Sequence, residues 1–527
     1  MLSNETAPAP TADQTDTTHL LRIIIVVLLV HDFLFLIFGL FLPIAGFHDF
    51  RQAQTAISVY WMLHGGSWLT YETPVLGAPW ALPFEFPLYH WCVAAVAYLG
   101  MPLDGAGRLV SFAFFIGCLW PIKRIFAELN IKDRAYYVTS ILFLASPLYI
   151  FWGMTFMIET CAVFFGFAWL SLFISFSKKA SVALFVLTLL AGTAALLVKA
   201  TTFPAFAFMG GVYFLFCCWQ MVRRGIDRIG VISALAMAVL LLGPFGPAIA
   251  WVSYSDAVKL ANPVAGVLTS VSLATWNFGT GEQRISQHLW VDVILARTMI
   301  NVFGLSAFVL GTVAVVMIIW RKGQEYVVAK FVLSLIPEHR GCAAALLIAF
   351  LLPFLIFTNL HIVHDYYQTA NGVFAIVLLG FLFGESVFSE NRTALVTAIS
   401  VMTVGQLLFF YGYYYDNSRH VSLNRVEIAA SARRLVPEDA GIVVIGDDWS
   451  SIIPYYAERK ALTVPEWLSK DLIQSVIAQP QRFFDNRPIG GVIECRQEGR
   501  DSYFAQFKPL LERRKVVAKN GNCELYM

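Results

Sequence analysis

The sequence has few charged residues for a chain of 527 residues. Lys, Arg, Asp and Glu make up 14% of it, against about 25% in ordinary soluble domains, and 58% of the residues are hydrophobic. A soluble chain of this length could not bury that much apolar surface, and a disordered chain would not contain it. The composition therefore excludes both classes. The net charge is only +2, which gives no indication of nucleic acid as a partner.

The few charges are unevenly distributed. Residues 413–527 hold 31 of the 72 charged residues (37 basic plus 35 acidic). That is about 27% of the segment, against about 10% of residues 1–412, so only the last part has the charge content of a soluble domain. The sequence predicts a membrane body over residues 20–412 and a soluble domain over residues 413–527.

Long hydrophobic runs fill the body. The first, from Leu20 to Pro43, is too long for the core of a signal peptide and fits a retained spanning helix. The polar residues 1–19 are expected to form a disordered cytoplasmic N-terminus. Further runs predict a polytopic α-helical membrane protein with about eleven transmembrane helices, the other ten lying near residues 108–127, 135–152, 157–176, 181–198, 203–221, 230–251, 298–319, 343–359, 370–388 and 393–412.

The distribution of Lys and Arg predicts the orientation. With a cytoplasmic N-terminus, the cytoplasmic loops hold fourteen basic residues and the opposite side holds six outside the tail, which follows the positive-inside rule. The C-terminal domain is then extracytoplasmic, and residues 44–107 and 252–297 are long external loops. The apolar run 87–100 is short for a span, so we expect it to lie in the outer interface or to re-enter.

The segment His48 to His64 has apolar residues at helical spacing and polar residues on its other face, which predicts an amphipathic helix on the outer surface. Asp49 stands at its start, with Gln52 three residues later. One interpretation is a helix cap with its capping-box partner; the other is a general base. Arg51 and His48 would suit a phosphate-bearing substrate, although Arg51 could also be a snorkelling surface charge.

Three further charged residues lie near the ends of apolar runs. Glu85, between aromatic residues and prolines, is either a loop or capping acid or an acceptor for a sugar hydroxyl. Glu159 lies at the start of a span, where an ionisable group is costly and indicates function or a structural partner. Lys199 ends the fifth span and is expected either to snorkel or to hold a lipid phosphate.

The external segment His361 to Gln368 is rich in polar and aromatic side chains. His361 and His364 with Asp365 could ligate a metal, but no further cluster accompanies them, so contact with substrate or phosphate is the preferred interpretation for His361, His364, Tyr366 and Tyr367. We predict no metal site.

The sequence of residues 413–527 predicts a small α/β domain. Strands are predicted at 441–446 and 491–494, a helix at 450–459, and a hairpin at 516–526. Asp447 and Asp448 follow the first strand, where they could bind a ligand or cap the next helix. Cys495 and Cys523 lie on predicted strands and could form a disulfide if the domain is extracytoplasmic.

Together these segments resemble the GT-C superfamily of membrane glycosyltransferases. The resemblance covers residues 20–412 in layout and is sharpest at four places: His48 to Ala56, Phe84 to Trp91, Glu159 and His364 to Gln368. Within the superfamily the chain is similar to the bacterial relatives of the protein O-mannosyltransferases and of the aminoarabinose transferase that modifies lipid A. It departs from them at Phe50, where an acidic pair is common, and at Phe86, where the aminoarabinose branch has Lys.

The resemblance implies transfer of a sugar from a polyprenyl-phosphate carrier, with inversion, to a hydroxyl of a lipid, glycan or protein acceptor of the cell envelope. It implies Asp49 as catalytic base and Glu159 as a second acidic residue of the catalytic site, which would orient the acceptor or Asp49. It also implies an integral protein of the bacterial inner (plasma) membrane with its C-terminal domain in the periplasm. Arg51, Lys199 and His364 are the candidate phosphate ligands. No cofactor is required by the sequence, although some members use a divalent cation. The alternative function is transport or flipping of a lipid-linked sugar, against which stands the lack of a recognisable internal repeat.

Overall fold

The computed structural model describes residues 12–306, 340–385 and 392–527. The membrane body is almost wholly helical over these residues. Its helices are Ala12–Gly39, Asp49–Leu63, Leu88–Tyr98, Leu103–Gly117, Leu119–Glu128, Asp133–Leu144, Pro147–Trp152, Glu159–Lys178, Val182–Val198, Phe203–Arg224, Arg228–Leu242, Phe245–Leu260, Ala265–Leu268, Ala274–Phe278, Gly281–Ile285, His288–Val302, Arg340–Ile356, Thr358–Val363, Asp365–Ala370, Gly372–Glu385, Arg392–Phe409, Phe410–Tyr415 and Asp416–Arg419.

Six segments of the described chain are long and apolar enough to cross a membrane. They are Thr18–Gly39, Leu103–Glu128, Glu159–Lys178, Phe203–Arg224, Arg228–Leu260 and Leu395–Leu435. Four shorter apolar helices accompany them: Leu88–Tyr98, Val182–Val198, Gly341–Ile356 and Gly372–Glu385. The polytopic helical class is confirmed, while the number eleven stays a prediction.

Three of the sequence predictions differ from the structure in detail. The first helix begins at Ala12, so residues 12–19 are helical and the predicted disordered segment is too long. The predicted run 135–152 is broken before Pro147, because proline lacks the N–H that would continue the helix. Most of the predicted run 298–319 lies outside the described residues, and its first residues end the helix His288–Val302.

Small residues allow two of the body helices to pack closely. A Cβ atom added to Gly380 would lie 2.0 Å from the hydroxyl oxygen of Thr139, and one added to Gly384 would lie 2.3 Å from the Cα of Ala135. The Gly-x-x-x-Gly spacing therefore brings helix Gly372–Glu385 against helix Asp133–Leu144, as small residues do in membrane bundles.

The helix Asp49–Leu63 forms as predicted, but the prediction that its polar face lies on the outer surface is wrong. Gln52, Gln54, Thr55 and Ser58 are all buried. The first external loop covers this face, since the hydroxyls of Ser58 and Thr73 are 2.9 Å apart. Another part of the body covers it too, since the backbone N–H of Phe156 donates to Gln52 Oε1 at 3.1 Å.

The C-terminal domain is a five-stranded sheet flanked by short helices. Its strands are β1 (Gly441–Ile445), β2 (Ala461–Val464), β3 (Ile489–Cys495), β4 (Val516–Asn520) and β5 (Cys523–Tyr526), in the order β2-β1-β3-β5-β4. The first three are parallel, and β5 runs antiparallel to β3 and β4. Its helices are Asn424–Leu435, Ile452–Ala457, Lys470–Ala478, Pro480–Phe483, Asp501–Ala505 and Lys508–Leu511.

The small α/β domain is therefore confirmed, as is the disulfide between Cys495 and Cys523. These cysteines face each other across β3 and β5. The strand β2 has no counterpart among the sequence predictions.

The first external loop and the C-terminal domain share one core. Residues 74–77 of the loop run along the edge of β2, where Thr463 N donates to Val75 O at 2.7 Å and Gly77 N donates to Ala461 O at 3.0 Å. Ile57, Leu76 and Leu462 belong to the same buried cluster. The domain thus packs on the end of the bundle where the helix Asp49–Leu63 lies.

Candidate functional site

Glu159 and Lys199 meet because a helical hairpin returns the chain to where it began. Glu159 is the first residue of helix Glu159–Lys178, and Lys199 directly follows helix Val182–Val198. A short turn joins these helices, and the Ser181 side chain caps the second by accepting from Leu184 N. Lys199 Nζ donates to Glu159 Oε1, and the two side chains are 5% and 1% exposed. The snorkelling interpretation of Lys199 is therefore wrong.

Two tyrosines of the external segment cover the ammonium group of Lys199. Its Nζ lies 4.3 Å from the ring centroid of Tyr367 and 5.0 Å from that of Tyr366. These are cation–π distances. The hairpin and the segment His361 to Gln368 therefore contribute to one site.

Arg51 and Glu85 form a second ion pair. Arg51 Nη2 donates to Glu85 Oε1, and Nη1 donates to the side-chain oxygen of Gln54. Burial raises the pKa of Glu85, but attraction by Arg51 and Lys199 outweighs it and holds the pKa below its usual value. Arg51 is therefore a paired, largely buried cation, not a snorkelling surface charge.

Hydrogen bonds from side chains to its backbone fix the loop that carries Glu85. Tyr71 accepts from Phe84 N at 2.7 Å and donates to Glu85 O at 2.9 Å. The indole of Trp251 donates to Phe84 O at 3.0 Å. The position of the Glu85 carboxylate is thus set by groups from the loop itself and from helix Phe245–Leu260.

His48 links the first external loop to the segment His361 to Gln368. Its Nε2 lies 3.1 Å from Asp365 Oδ1, and Tyr414 donates to Asp365 Oδ2 at 3.4 Å. The His48 ring also packs edge-on against His364 and Tyr366, with centroids 5.2 and 4.9 Å apart. Asp365 therefore positions His48.

The two predicted histidines of this segment differ in their surroundings. His364 stacks on Tyr366, with centroids 5.2 Å apart, and burial together with the nearby His48 and Lys199 lowers its pKa to about 4. It is neutral at pH 7 and would serve as a hydrogen-bonding group. His361 is 1% exposed and its ring packs on that of Phe354. The ring centroids of His361 and Tyr367 are 6.0 Å apart.

Asp49 is the first helical residue, not the helix cap. His48 precedes it with a left-handed backbone (φ 46°) and occupies the cap position. Gln52 makes no capping-box bond, because its side-chain oxygen accepts from Phe156 N at 3.1 Å. Asp49 is therefore not the cap of a capping box, although its Oδ1 accepts from Phe50 N at 2.7 Å and satisfies one N–H of the first turn.

The carboxylate of Asp49 contacts the C-terminal domain. Arg425 Nη2 donates to Asp49 Oδ2, and Arg425 Nη1 donates to Asp447 Oδ1 at 3.2 Å. Burial raises the pKa of Asp447 to about 6, although Arg425 opposes this, and the charge of Asp49 adds to the rise. Two carboxylates from different domains thus share one guanidinium.

The same segment of the domain covers the site. Trp449 packs edge-on against Phe50, with ring centroids 4.9 Å apart, and lies 5.9 Å from Phe84. The residues 447–449 after β1 therefore contact Arg425, which pairs with the candidate base, as well as Phe50 and the loop of Glu85. The contact of Asp447 with Arg425 is not one that its interpretation as a helix-capping acid predicted.

All ten residues predicted as site residues lie at one end of the bundle, and direct contacts join them into smaller groups. Sequence reasoning missed Arg425 as the partner of Asp49, and Asp447 as the second carboxylate on the same guanidinium. Arg425 lies in an ordinary polar helix, and nothing in the pattern of that helix distinguishes it from its basic neighbours.

The described residues contain no group of three or more His, Cys, Asp or Glu side chains placed to hold a metal ion. His48, His364 and Asp365 are near one another, but the hydrogen bond to the carboxylate comes from His48, whereas the His364 ring stacks on Tyr366. The metal-ligand interpretation of this segment gains no support from the geometry.

No sequence-family model matches the chain, and no curated protein matches it by sequence. Solved structures do match over most of its length. ArnT from Cupriavidus metallidurans bound to undecaprenyl phosphate is 15% identical with a TM-score of 0.59, covering 97% of this chain and 98% of ArnT. The apo state of ArnT gives 14% identity and a TM-score of 0.60, covering 95% and 97%.

A third solved structure is the arabinofuranosyltransferase AftD from Mycobacteria. It is 12% identical with a TM-score of 0.51 and covers 96% of this chain but 40% of AftD. ArnT and AftD are GT-C glycosyltransferases. The resemblance expected from the sequence is therefore confirmed for the fold, which this chain shares with ArnT and AftD.

Proposed function

We propose that the protein is a membrane glycosyltransferase that moves a sugar from a polyprenyl-phosphate carrier to a hydroxyl of a cell-envelope acceptor. The main support is the convergence of Asp49, Arg51, Glu85, Glu159 and Lys199 at one end of a bundle with the fold of ArnT. ArnT itself has been solved with undecaprenyl phosphate bound. A shared fold alone does not establish function, so the proposal depends on these side chains.

The donor phosphate is held by Arg51 and Lys199. Each donates to a carboxylate, and the phosphate oxygens would accept hydrogen bonds from the same two cations. Arg51 can offer two parallel N–H groups to a phosphate. Tyr367, Tyr366 and neutral His364 line the same position and can donate hydrogen bonds without adding charge.

Asp49 acts as the general base. It takes the proton of the acceptor hydroxyl, the oxygen attacks the anomeric carbon, and the bond from that carbon to the phosphate oxygen breaks with inversion. The lipid phosphate leaves with an additional negative charge, which Arg51 and Lys199 stabilise. Glu159 acts through Lys199, keeping its ammonium group in place before the phosphate arrives.

The reaction is placed on the extracytoplasmic side of the bacterial inner membrane. Two observations support this: the fourteen-to-six distribution of basic residues, and the disulfide in the domain next to the site, since disulfides persist in oxidising compartments. The acceptor is a lipid, a glycan or a protein of the envelope.

The test is release of polyprenyl phosphate from a polyprenyl-phosphate sugar by the purified protein, followed by mass spectrometry with envelope extracts as acceptor. Asp49→Asn should reduce turnover by at least about 1,000-fold, because the amide cannot take the proton. It should retain the thermal midpoint and bind polyprenyl phosphate. Full turnover by this variant would refute the assignment of Asp49.

A transporter of lipid-linked sugars would give another result. It would move the intact donor across a vesicle membrane and release no polyprenyl phosphate, with or without acceptor. That outcome would replace the glycosyltransferase proposal by the alternative.

A further inference from the structure

A cavity lies at the carboxyl ends of the parallel strands of the C-terminal domain. It has a volume of about 380 Å³ and is lined by Gly446, Asp448, Glu466, Trp467, Gln497 and Arg500, among others. Ligand sites commonly have volumes of about 300–1,000 Å³. The cavity is therefore large enough for a ring-sized ligand.

The strand order places this cavity where α/β domains bind ligands. In the order β2-β1-β3, the connection after β1 leads to β2 on one side of β1, and the connection after β2 leads to β3 on the other side. Connections diverge at such a point and leave a crevice beyond the carboxyl ends of the strands. Gly446 directly follows β1, Glu466 follows β2 and Gln497 follows β3.

An exposed aromatic ring is fixed in this crevice. Trp467 is 45% exposed, although its indole N–H donates to Asp448 Oδ1 at 2.7 Å. Asp448 has a left-handed backbone (φ 47°), a conformation that is costly for a residue with a side chain and is often found at functional sites. The Gln497 amide donates to Gly446 O at 2.9 Å, which ties the loop after β3 to the loop after β1.

The charges of the cavity select against an anion. Asp448 and Glu466 each contribute one negative charge, and the single cation among the named lining residues, Arg500, already donates to Glu466. A phosphate or carboxylate would meet a formal excess of negative charge. A ring bearing hydroxyl groups would instead donate to the carboxylates and place its C–H face on the indole.

We propose that this cavity is a carbohydrate-binding subsite for a sugar ring without anionic groups. Resting on the proposed function, we assign the ring to the acceptor. The loop after β1 supports this, because Asp448 lines the cavity while its neighbours Asp447 and Trp449 contact Arg425 and Phe50 beside the candidate base. An acceptor glycan held on Trp467 would thereby extend towards Asp49.

The test is saturation-transfer NMR on the purified full-length protein without donor. The probes are methyl β-D-glucoside, N-acetylglucosamine and glucosamine, with glucuronate as the anionic comparison. At least one of the first three should bind more tightly than glucuronate. Trp467→Ala should weaken that binding about fivefold or more, and Asp448→Asn should weaken it too, whereas Trp467→Phe should retain part of it.

Trp68→Ala is the matched control, because Trp68 is 47% exposed in the first external loop. It should leave binding unchanged. The absence of saturation transfer to all three rings, undiminished binding by Trp467→Ala, or tighter binding of glucuronate than of any of the three would each overturn the proposal.

The outcome separates this proposal from the proposed function. If Trp467→Ala no longer binds the sugar but still hydrolyses the donor, with water in place of the acceptor, polyprenyl phosphate is still released. That result would support a subsite distinct from the reaction centre. Sugar binding by a protein that releases no polyprenyl phosphate would refute the proposed function and the assignment to an acceptor, but leave the carbohydrate site standing.

Discussion

Each basic side chain at the centre of the site is already paired with a carboxylate. Lys199 donates to Glu159 and Arg51 donates to Glu85. A buried cation without a partner would be strongly destabilising, so these carboxylates keep the phosphate-binding groups charged and in place when no donor is bound. This assigns Glu85 to a cation, whereas the sequence left it either a loop or capping acid or an acceptor for a sugar hydroxyl.

Arg425 should set the pH at which Asp447 loses its proton. It donates to the carboxylates of Asp447 and Asp49, and it opposes the burial that raises the pKa of Asp447 to about 6. Replacing it by Gln removes that attraction, so the pKa of Asp447 should rise further. Because Asp447 lies beside the candidate base, a carboxyl group there that stays protonated to higher pH should move the acid limb of the pH profile of kcat/KM upwards by about one pH unit or more.

Arg433→Gln is the control for Arg425→Gln. Arg433 lies on the same helix, pairs with Glu458 at 2.8 Å and is 57% exposed, so its removal should leave the pH profile unchanged. An acid limb that does not move in Arg425→Gln would show that the guanidinium does not hold down the pKa of Asp447.

At the scale of elements, the Glu159–Lys199 contact could be predicted from the sequence and the Asp49–Arg425 contact could not. Two consecutive spans joined by a short turn return to the same end of the bundle, so a residue at the start of one must lie near the end of the next. Arg425 follows Asp49 by 376 residues and belongs to another domain. Its position depends on how that domain packs, which local pattern does not encode.

The Gly380 and Gly384 pair should be sensitive to any added side chain. Gly384→Val would place a Cβ atom 2.3 Å from the Cα of Ala135, and backbone cannot move aside as a flexible side chain can. We expect the free energy of unfolding in mixed micelles to fall by about 1–3 kcal/mol.

Gly211→Val provides the comparison, since Gly211 lies in the apolar helix Phe203–Arg224 with nothing within 4 Å of its added Cβ atom. It should change the free energy of unfolding by less than about 0.5 kcal/mol. Equal effects of the two substitutions would mean that close helix packing at Gly384 does not contribute to stability.

At the scale of the whole molecule, hydrophobic runs and charge distribution predicted the helical body and the separate α/β domain. They could not predict how the two combine. The helix Asp49–Leu63 has an amphipathic sequence, yet both faces are buried because residues 74–77 and the C-terminal domain cover it. Amphipathic spacing reports the polarity of a face, and a polar face can be buried wherever other polar groups satisfy it.

The orientation of the chain is the last prediction, and it is tested by adding one cysteine at either end of the bundle. Ser502 is exposed in the C-terminal domain, and Lys179 is exposed in the turn between helices Glu159–Lys178 and Val182–Val198. The two variants are Ser502→Cys and Lys179→Cys. Because positive residues favour the cytoplasmic side, a membrane-impermeant maleimide applied to spheroplasts should label Ser502→Cys and leave Lys179→Cys unlabelled until the membrane is lysed.

The unmodified chain measures the background from its six free cysteines, all of which are buried or half-buried. Its disulfide should remain unlabelled until a reductant is added. The reverse labelling pattern would place the C-terminal domain in the cytoplasm. Asp49 would then face the cytoplasm too, since Arg425 ties it to that domain, and the reaction would have to use a donor and an acceptor present on the cytoplasmic side.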